Sequence, residues 1–211
     1  MPEFLIIRHG QSQADLEDRY EGRADFPLTA EGRAQAAQLA RWLATHYRPD
    51  AIYASPLIRA AETAQIIATQ VHVPIHLEPD LMEWNNGVLA GLLREEADRK
   101  YPTPAEPRKL HESVPGGETD IEFRARAASV WSRLEHQTPE SQRIAIVAHG
   151  GIISQLFHCF MNLPFQTGFW LMTGDTGVHL WKIKGATRWL IFSNSLIHLR
   201  QEAPNVGLQN P

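Results

Sequence analysis

The chain is poor in cysteine, and this shortage excludes a disulfide-stabilised fold. One cysteine among 211 residues, Cys159, cannot form an internal disulfide. A domain of this length buries roughly 70% of its unfolded surface, so it needs neither a disulfide nor a metal to fold. Cys159 lies in an apolar stretch, where we expect a buried, unreactive thiol. Low cysteine content is typical of proteins from a reducing compartment.

Long apolar runs and clustered basic residues are also missing. No apolar run approaches the roughly 20 residues that a membrane-spanning helix needs, and the run near the N-terminus is too short for a signal peptide. The formal net charge is −4 and the basic residues are dispersed, which argues against nucleic-acid binding. We therefore expect a cytoplasmic protein without a membrane or nucleic-acid partner. The oligomeric state stays open, with a homodimer among the alternatives.

Alternating strand and helix patterns predict an α/β fold. Strands are predicted at residues 4–7, 51–54, 74–77 and 143–148, and a closing hairpin at 178–183 and 188–192. Predicted helix starts are Thr29, Ser55-Pro56, the capping box Thr119-Asp120-Ile121-Glu122, and Ile152. This order predicts a three-layer α/β/α sandwich with a mainly parallel central sheet.

Two segments depart from that pattern. Residues 92–114 carry many charges and three prolines and show no clear core face. We interpret them as a small inserted lid on a single domain of residues 1–211. Residues 201–211 contain Pro204, Gly207 and Pro211 and predict a flexible tail.

Charged and imidazole side chains follow the predicted strands. Arg8-His9-Gly10 comes after the first strand and His149-Gly150-Gly151 after the strand that ends at residue 148. Arg59 lies one turn into the helix after the second strand, and Glu83 follows the third strand. Ligands bind at the carboxyl edge of open α/β sheets, so we expect these groups to meet there.

The chemistry of this set suits phosphoryl transfer through a histidine. A neutral imidazole, here His9, is a competent nucleophile, and the guanidinium forks of Arg8 and Arg59 match the oxygens of a phosphate ester. His149, if protonated, would donate to the phosphoryl group, and Glu83 is the carboxylic acid available to the leaving oxygen. The arginines would neutralise the charge that magnesium often neutralises, so no metal and no cofactor is expected. The other eight histidines show no zinc-ligand spacing.

Four ordered motifs make the family resemblance plain. They are Leu5-Ile6-Ile7-Arg8-His9-Gly10-Gln11-Ser12, Pro27-Leu28-Thr29-Ala30-Glu31-Gly32, Ser55-Pro56-Leu57-Ile58-Arg59-Ala60-Ala61-Glu62-Thr63 and Ala148-His149-Gly150-Gly151. The chain resembles the histidine phosphatase superfamily, which contains cofactor-dependent phosphoglycerate mutases and related phosphatases. The resemblance implies that His9 is phosphorylated, that Arg8, Arg59, His149 and the backbone at Gly150 bind the phosphate, and that Glu83 donates the proton.

The chain departs from the family pattern at three places. It has Gln11 where glutamate is frequent and Asp15 where an asparagine usually contacts phosphate. An aspartate would repel a dianion, so Asp15 is left out of the predicted site. After Glu83 the mutases share Arg-x-Tyr-Gly, whereas this chain reads Trp84-Asn85-Asn86-Gly87. This difference favours the phosphatase branch.

The predicted function is therefore a phosphoric monoester hydrolase of the histidine acid phosphatase type, acting on a small phosphorylated metabolite. A phosphoglycerate mutase, a phosphatase of phosphohistidine proteins and a catalytically silent binding module remain as alternatives. Purely structural interpretations of single residues also remain: Arg59 could form a surface salt bridge to Glu62, Glu83 could be a solvated loop carboxylate, and Trp84 could belong to the core. Lid cations could contact an anionic substrate or simply be solvated; they are Arg94, Arg99, Arg108 and Lys109.

Overall fold

Six strands, six α-helices and three short 3₁₀ helices form in residues 1–165 and 168–200, which the computed structural model describes. The strands are β1 (Glu3–Arg8), β2 (Ala51–Ala54), β3 (Ile75–Leu77), β4 (Arg143–Ala148), β5 (Val178–Lys184) and β6 (Thr187–Ser195). The helices are α1 (Gln13–Leu16), α2 (Ala30–His46), α3 (Ile58–Val71), α4 (Arg94–Lys100), α5 (Asp120–Gln137) and α6 (Gly150–Phe160). The predicted flexible tail, residues 201–211, lies outside the described residues.

The strands form one six-stranded sheet in the order β3-β2-β4-β1-β5-β6. The first four strands are parallel, and β5 and β6 form the predicted hairpin, in which β5 runs antiparallel to β1. In β1 and β4 the register pairs Ile6 with Ile146 and Arg8 with Ala148. The carboxyl ends of β1, β2 and β4 therefore lie at one edge of the sheet, as a mainly parallel sheet requires.

Two apolar cores lie on opposite faces of this sheet. Alternate residues of β1 point to opposite sides, so Phe4 and Ile6 join one core while Leu5 and Ile7 join the other. The first core packs against α5 and α6, and the second packs against α2 and α3. The three-layer α/β/α prediction is confirmed.

Helix starts agree with the capping signals at two of the predicted positions. The Thr29 hydroxyl accepts from the Gly32 N–H at 2.9 Å, and Thr119 forms the predicted capping box with Glu122. The prediction that Ser55 caps α3 is wrong: Leu57 stands at that position and offers no side-chain cap. Helix α6 also begins earlier than predicted, with His149 preceding its first residue.

The segment 92–114 contains the short helix α4, which the sequence pattern did not predict, because its seven residues are too few to show an apolar period. Residues 101–119 form neither helix nor strand. The segment is tied to the loop after β1, since the Arg94 N–H donates to the Asp18 carbonyl at 3.0 Å. Its interpretation as a lid on a single domain stays a prediction. Among the described residues, no helix is both long enough and apolar enough to cross a membrane.

Trp181 on β5 is fully buried and stacks on Phe160 with ring centroids 4.8 Å apart, while Trp189 on β6 is 47% exposed. We expect Trp181→Ala to lower the free energy of unfolding by about 3–5 kcal/mol, because it removes a large side chain from a close-packed core. Trp189→Ala, the matched control on the neighbouring strand, should change it by about 0.5 kcal/mol or less. Urea denaturation measures both, and equal losses would contradict the assigned core.

Candidate active site

The parallel strand ends bring the two predicted histidines together. His9 follows β1 and His149 follows β4, and their ring centroids lie 5.0 Å apart. The backbone N–H of His9 donates to the Ala148 carbonyl at 3.0 Å, which continues the β1–β4 hydrogen bonding past the strand ends. Both imidazoles are only 1% exposed. The sheet edge thus forms the floor of the candidate site.

His9 has a defined tautomer. Its Nδ1 lies 2.8 Å from the Gly10 carbonyl oxygen, so Nδ1 carries the hydrogen. Its Nε2 accepts from Arg59 Nε at 3.3 Å and therefore carries the lone pair. Burial, and then the cations Arg59 and Arg8, hold the pKa of His9 well below 6.5. A neutral imidazole with Nε2 unprotonated is the form that a nucleophile requires.

Arg59 is buried next to this nitrogen rather than exposed at the surface. It has no exposed surface, and its terminal nitrogens donate to the carbonyls of Ala24 at 3.0 Å and Gly22 at 2.9 Å. The alternative of a surface salt bridge to Glu62 is wrong, because Glu62 pairs with Arg33 at 3.1 Å. Arg59 thus supplies a fixed cation beside His9.

Arg8 holds two carboxylates at the rim of the site. Its NH2 lies 3.1 Å from Asp15 Oδ1 and 3.4 Å from Asp175 Oδ1, and its NH1 donates to the Thr173 carbonyl at 3.0 Å. Asp15, which the sequence leaves out of the predicted site, contacts Arg8 and lines the cavity described below. The sequence indicated that the Asp15 carboxylate would repel a phosphate dianion, but it did not indicate that Asp15 would pair with Arg8.

The surroundings of His149 disfavour the protonated form in which it would act as a charged donor. Burial, followed by the nearby Arg59, lowers the pKa of His149 well below 6.5. Its Nε2 lies 2.8 Å from the Ser55 Oγ, whereas its buried Nδ1 has no hydrogen-bond partner. An unpartnered buried nitrogen in an active-site floor is available to a ligand oxygen.

Glu83 is anchored to the start of α6. Its Oε2 accepts from the Gly151 N–H at 2.8 Å, and its Oε1 accepts from the N–H groups of Ile152 at 3.1 Å and Trp84 at 2.8 Å. The helix N-terminus favours this anion. A Cβ at Gly151 would lie 2.4 Å from Glu83 Oε1, so only glycine permits the approach. Glu83 is therefore not a freely solvated loop carboxylate.

Gly150 is the first residue of α6, and a Cβ built there meets nothing within 4 Å. The structure therefore leaves open space beside the predicted phosphate-binding backbone. The neighbouring Gly151, rather than Gly150, lines the cavity. The assigned role of Gly150 stays a prediction, as do the roles of the other site residues.

A cavity of about 430 Å³ lies beside this floor, and of the predicted site residues Arg8 and Glu83 line it, whereas the buried His9, Arg59 and His149 do not. Its walls combine cations, carboxylates and aromatic rings: Arg8, Ala14, Asp15, Asp18, Arg19, Tyr20, Glu21, Gly22, Glu83, Trp84, Asn86, Arg94, Gly151 and Trp170. Trp84 both lines the cavity and packs on Phe123 at 5.0 Å, so the core and pocket interpretations both hold.

Of the four lid cations, Arg94 reaches the cavity wall. It is already engaged, because its Nε lies 3.0 Å from Asp18 Oδ1 and its guanidinium lies 4.6 Å from the centre of the Tyr20 ring. Arg108 lines a separate cavity of about 260 Å³ on the other side of Trp84. Arg99 and Lys109 line neither cavity.

Sequence reasoning missed Arg126, which holds the backbone that leads to Glu83. Arg126 NH1 donates to the carbonyls of Asp80 and Met82, each at 2.7 Å. Its Nε and NH2 donate to the two carboxylate oxygens of Glu118, at 2.9 and 2.8 Å. No local spacing could have paired these groups, because Arg126 lies on α5 and the carbonyls lie in a distant loop.

No metal cluster accompanies this site in the part of the chain that the structure describes: no group of three or more His, Cys, Asp or Glu side chains could hold an ion there. Cys159 is half-buried, and burial raises the pKa of its thiol. A raised thiol pKa disfavours the reactive thiolate, in agreement with an inert cysteine.

The profile of the histidine phosphatase superfamily (branch 1) matches residues 4–195. The chain belongs to this superfamily. Phosphoserine phosphatase 1 of Hydrogenobacter thermophilus is 31% identical to it over 181 residues, which cover 81% of each chain. The probable phosphoglycerate mutase GpmB of Escherichia fergusonii is 33% identical over 174 residues, which cover 78% of this chain and 77% of the mutase. The crystal structure of the alpha-ribazole phosphatase from Shigella flexneri has a TM-score of 0.80 at 28% identity, over 92% of this chain and 96% of that one.

These relatives associate this histidine phosphatase superfamily member with phosphoryl-transfer enzymes of the phosphatase and mutase types. The likeness extends through all six strands, since the profile ends at the last residue of β6. The residues at the sheet edge therefore lie within the region that the superfamily shares.

In this superfamily member Arg126→Lys should lower kcat for phosphoryl transfer by roughly 10- to 100-fold and change KM less. One ammonium group cannot hold two carbonyls and the Glu118 carboxylate together, so Glu83 would lose its fixed position. Steady-state kinetics measure the effect. Arg124→Lys is the matched control, because Arg124 lies on the same helix but donates to the Gln155 and Leu163 carbonyls. Equal losses in both variants would contradict a positioning role.

The lowered pKa values of His9 and His149 predict that both rings stay neutral from about pH 7.5 down to about pH 6. Imidazole ¹⁵N shifts in NMR spectra measure this directly. The free energy of unfolding should also decrease as the pH falls below 6.5, because the unfolded chain then binds protons that the folded chain does not. Half-protonation of both rings close to pH 6.5 would contradict the assigned burial.

Proposed function

We propose that this protein is a metal-independent phosphomonoesterase that hydrolyses a small phosphorylated metabolite through a phosphohistidine at His9. The observation that carries the proposal is the environment of His9. Its Nδ1 is held by the Gly10 carbonyl, and its Nε2 lone pair lies 3.3 Å from the buried guanidinium nitrogen of Arg59. A nucleophile and a phosphate-binding cation are thereby in contact before the substrate arrives, which lowers the reorganisation that the reaction needs.

The reaction proceeds in two balanced steps. His9 Nε2 attacks phosphorus, a P–N bond forms, and the ester P–O bond breaks with its electron pair moving to the leaving oxygen. The substrate dianion favours a protonated Glu83, and this carboxylic acid donates the proton that the leaving oxygen requires. Water then attacks the phosphorus of phospho-His9 while Glu83 accepts the water proton, and the P–N bond breaks. Inorganic phosphate leaves and both residues return to their initial state.

Water is favoured as the final acceptor by the wall that follows Glu83. Trp84 and Asn86 line the cavity at the place where the mutase pattern has Arg-x-Tyr. The chain thus lacks, in this segment, the cation and phenol that would hold a second phosphorylated substrate for re-phosphorylation. The phosphoglycerate mutase reaction remains the second candidate, because relatives such as the probable mutase GpmB share 33% identity with this chain.

Two further alternatives are less well supported. A phosphatase of phosphohistidine proteins would be short and without a large lid, whereas we interpret residues 92–114 as an inserted lid. A catalytically silent module would have lost a residue of the site, whereas His9, Arg8, Arg59, His149 and Glu83 are all present. The cavity of about 430 Å³ suits a metabolite rather than a folded protein partner. We place this activity in the cytoplasm as part of the same proposal.

The test is phosphate release from a panel of small phosphomonoesters, including phosphoserine, phosphoglycerates and ribazole phosphate, in excess chelator. The proposal expects release to survive chelation and His9→Ala to abolish it, with a loss of at least about 10⁴-fold because the nucleophile is removed. His46→Ala is the matched control, since His46 is exposed at the end of α2 and should leave the rate unchanged.

Rapid quenching during turnover should trap an acid-labile phosphohistidine in the unaltered protein and none in the His9→Ala variant. Full activity in His9→Ala would refute the mechanism. Phosphoglycerate interconversion with a bisphosphate primer, without net phosphate release, would instead identify the protein as a phosphoglycerate mutase.

A further inference from the structure

The Glu21 carboxylate lies close to both His9 and Arg59, and the proposed mechanism gives it no role. Its Oε2 lies 3.7 Å from His9 Nε2, and its Oε1 lies 3.4 Å from Arg59 Nε. The Ser12 hydroxyl also donates to Oε1. The Glu21 side chain is 15% exposed and lines the cavity, so it separates His9 and Arg59 from the open space above them.

This carboxylate and a substrate phosphate require the same space. A phosphorus atom must come within about 3–3.5 Å of the attacking nitrogen for reaction. An oxygen of Glu21 already lies 3.7 Å from that nitrogen, too close to leave room for a phosphoryl group on the same side. The phosphate also needs the Arg59 guanidinium, which Glu21 now contacts. Two anions cannot share this pair of partners without strong repulsion.

We propose that the Glu21 carboxylate occupies part of the phosphate subsite in the free protein and competes with the substrate phosphate for His9 and Arg59. Glu21 is then a specificity-determining residue that sets the affinity for phosphate groups. The inference rests on the proposed function, because that function defines the subsite. Phosphate binding then requires the Glu21 carboxylate to take up a proton or to move out of the subsite.

The charges that face Glu21 come from three elements. Arg59 on α3 and Arg8 at the end of β1 favour its ionised form, whereas Asp15 on α1 disfavours it. Burial is the largest effect and raises the pKa of Glu21 above its usual value of 4.5. His9, the fourth neighbour, is neutral and adds no charge. A protonated Glu21 neither repels an anion nor requires Arg59 as an ion-pair partner, so anion binding should strengthen as the pH falls through this raised pKa.

Sulfate binding tests the proposal without any need for turnover. Sulfate stays a dianion between about pH 5 and about pH 8, so protonation of sulfate itself does not contribute to the pH dependence of its Kd. Isothermal titration calorimetry would give Kd for the unaltered protein and for Glu21→Gln, which keeps the shape of the side chain and removes the charge. Glu17→Gln is the matched control, because Glu17 lies in the same loop but is exposed and pairs with Arg19 at 2.6 Å.

We expect Glu21→Gln to lower the sulfate Kd at about pH 7.5 by about tenfold or more, because one negative charge leaves the subsite. The Kd of the unaltered protein should approach that of the variant as the pH falls, while Glu17→Gln should follow the unaltered protein throughout. Both variants share the histidines, so the difference between their pH profiles reports Glu21 alone.

Equal or weaker sulfate binding by Glu21→Gln, or a pH profile that the substitution does not change, would overturn the proposal. Absence of sulfate binding in every variant would overturn it too, since there would be no anion subsite for Glu21 to occupy. Either failure leaves the proposed function to its own test, because phosphate release and phosphohistidine trapping on the unaltered protein do not depend on the Glu21 variant.

Discussion

The burial of one guanidinium, that of Arg59, is the constraint on which the rest of the site depends. A buried cation is costly unless every polar contact is satisfied, because it loses its hydration. Arg59 is satisfied by the carbonyls of Gly22 and Ala24 and by the carboxylate of Glu21. The loop after α1 must therefore fold over α3 with its carbonyls turned inward. Gly22 permits this bend: its φ is +49°, and a Cβ there would lie 2.8 Å from the Asn86 side chain, so any other residue is disfavoured.

The same burial sets the chemistry of His9. A cation beside the imidazole disfavours a second positive charge, and the dry surroundings act in the same direction. His9 is thus neutral without needing a carboxylate to orient it, because the Gly10 carbonyl already fixes its tautomer. His9 and Arg59 are therefore coupled: the buried guanidinium favours the neutral imidazole, which is the form that the proposed nucleophile requires.

Contacts to backbone groups position the Glu83 carboxylate. The N–H groups at the start of α6 hold the Glu83 carboxylate from one side, and Arg126 holds the carbonyls of the preceding loop from the other. Backbone donors have little freedom to rearrange, so Glu83 has a fixed place although it lies in a loop. The cavity wall is consequently shaped by contacts between segments that are far apart in the chain.

Most elements could be predicted because their signals are local. The capping box at the start of α5 lies within four consecutive residues, and it was confirmed. The capping role of Ser55 could not be judged locally, because its hydroxyl lies 2.8 Å from His149 Nε2, on another strand end. The ion pair of Asp15 with Arg8 could not be judged locally either, because it depends on how α1 lies against the end of β1.

The sequence by itself determined which residue types were available and at which strand ends they stood. Periodicity and capping are properties of neighbouring residues, so the sheet, its layers and the meeting of His9 with His149 followed from them. Only the tertiary structure decided how the charges were paired: Arg59 buried against Glu21, Glu83 bound to the start of α6, and Arg126 joined to Glu118. Such pairings depend on distances and burial between remote segments, and no spacing along the chain encodes those quantities.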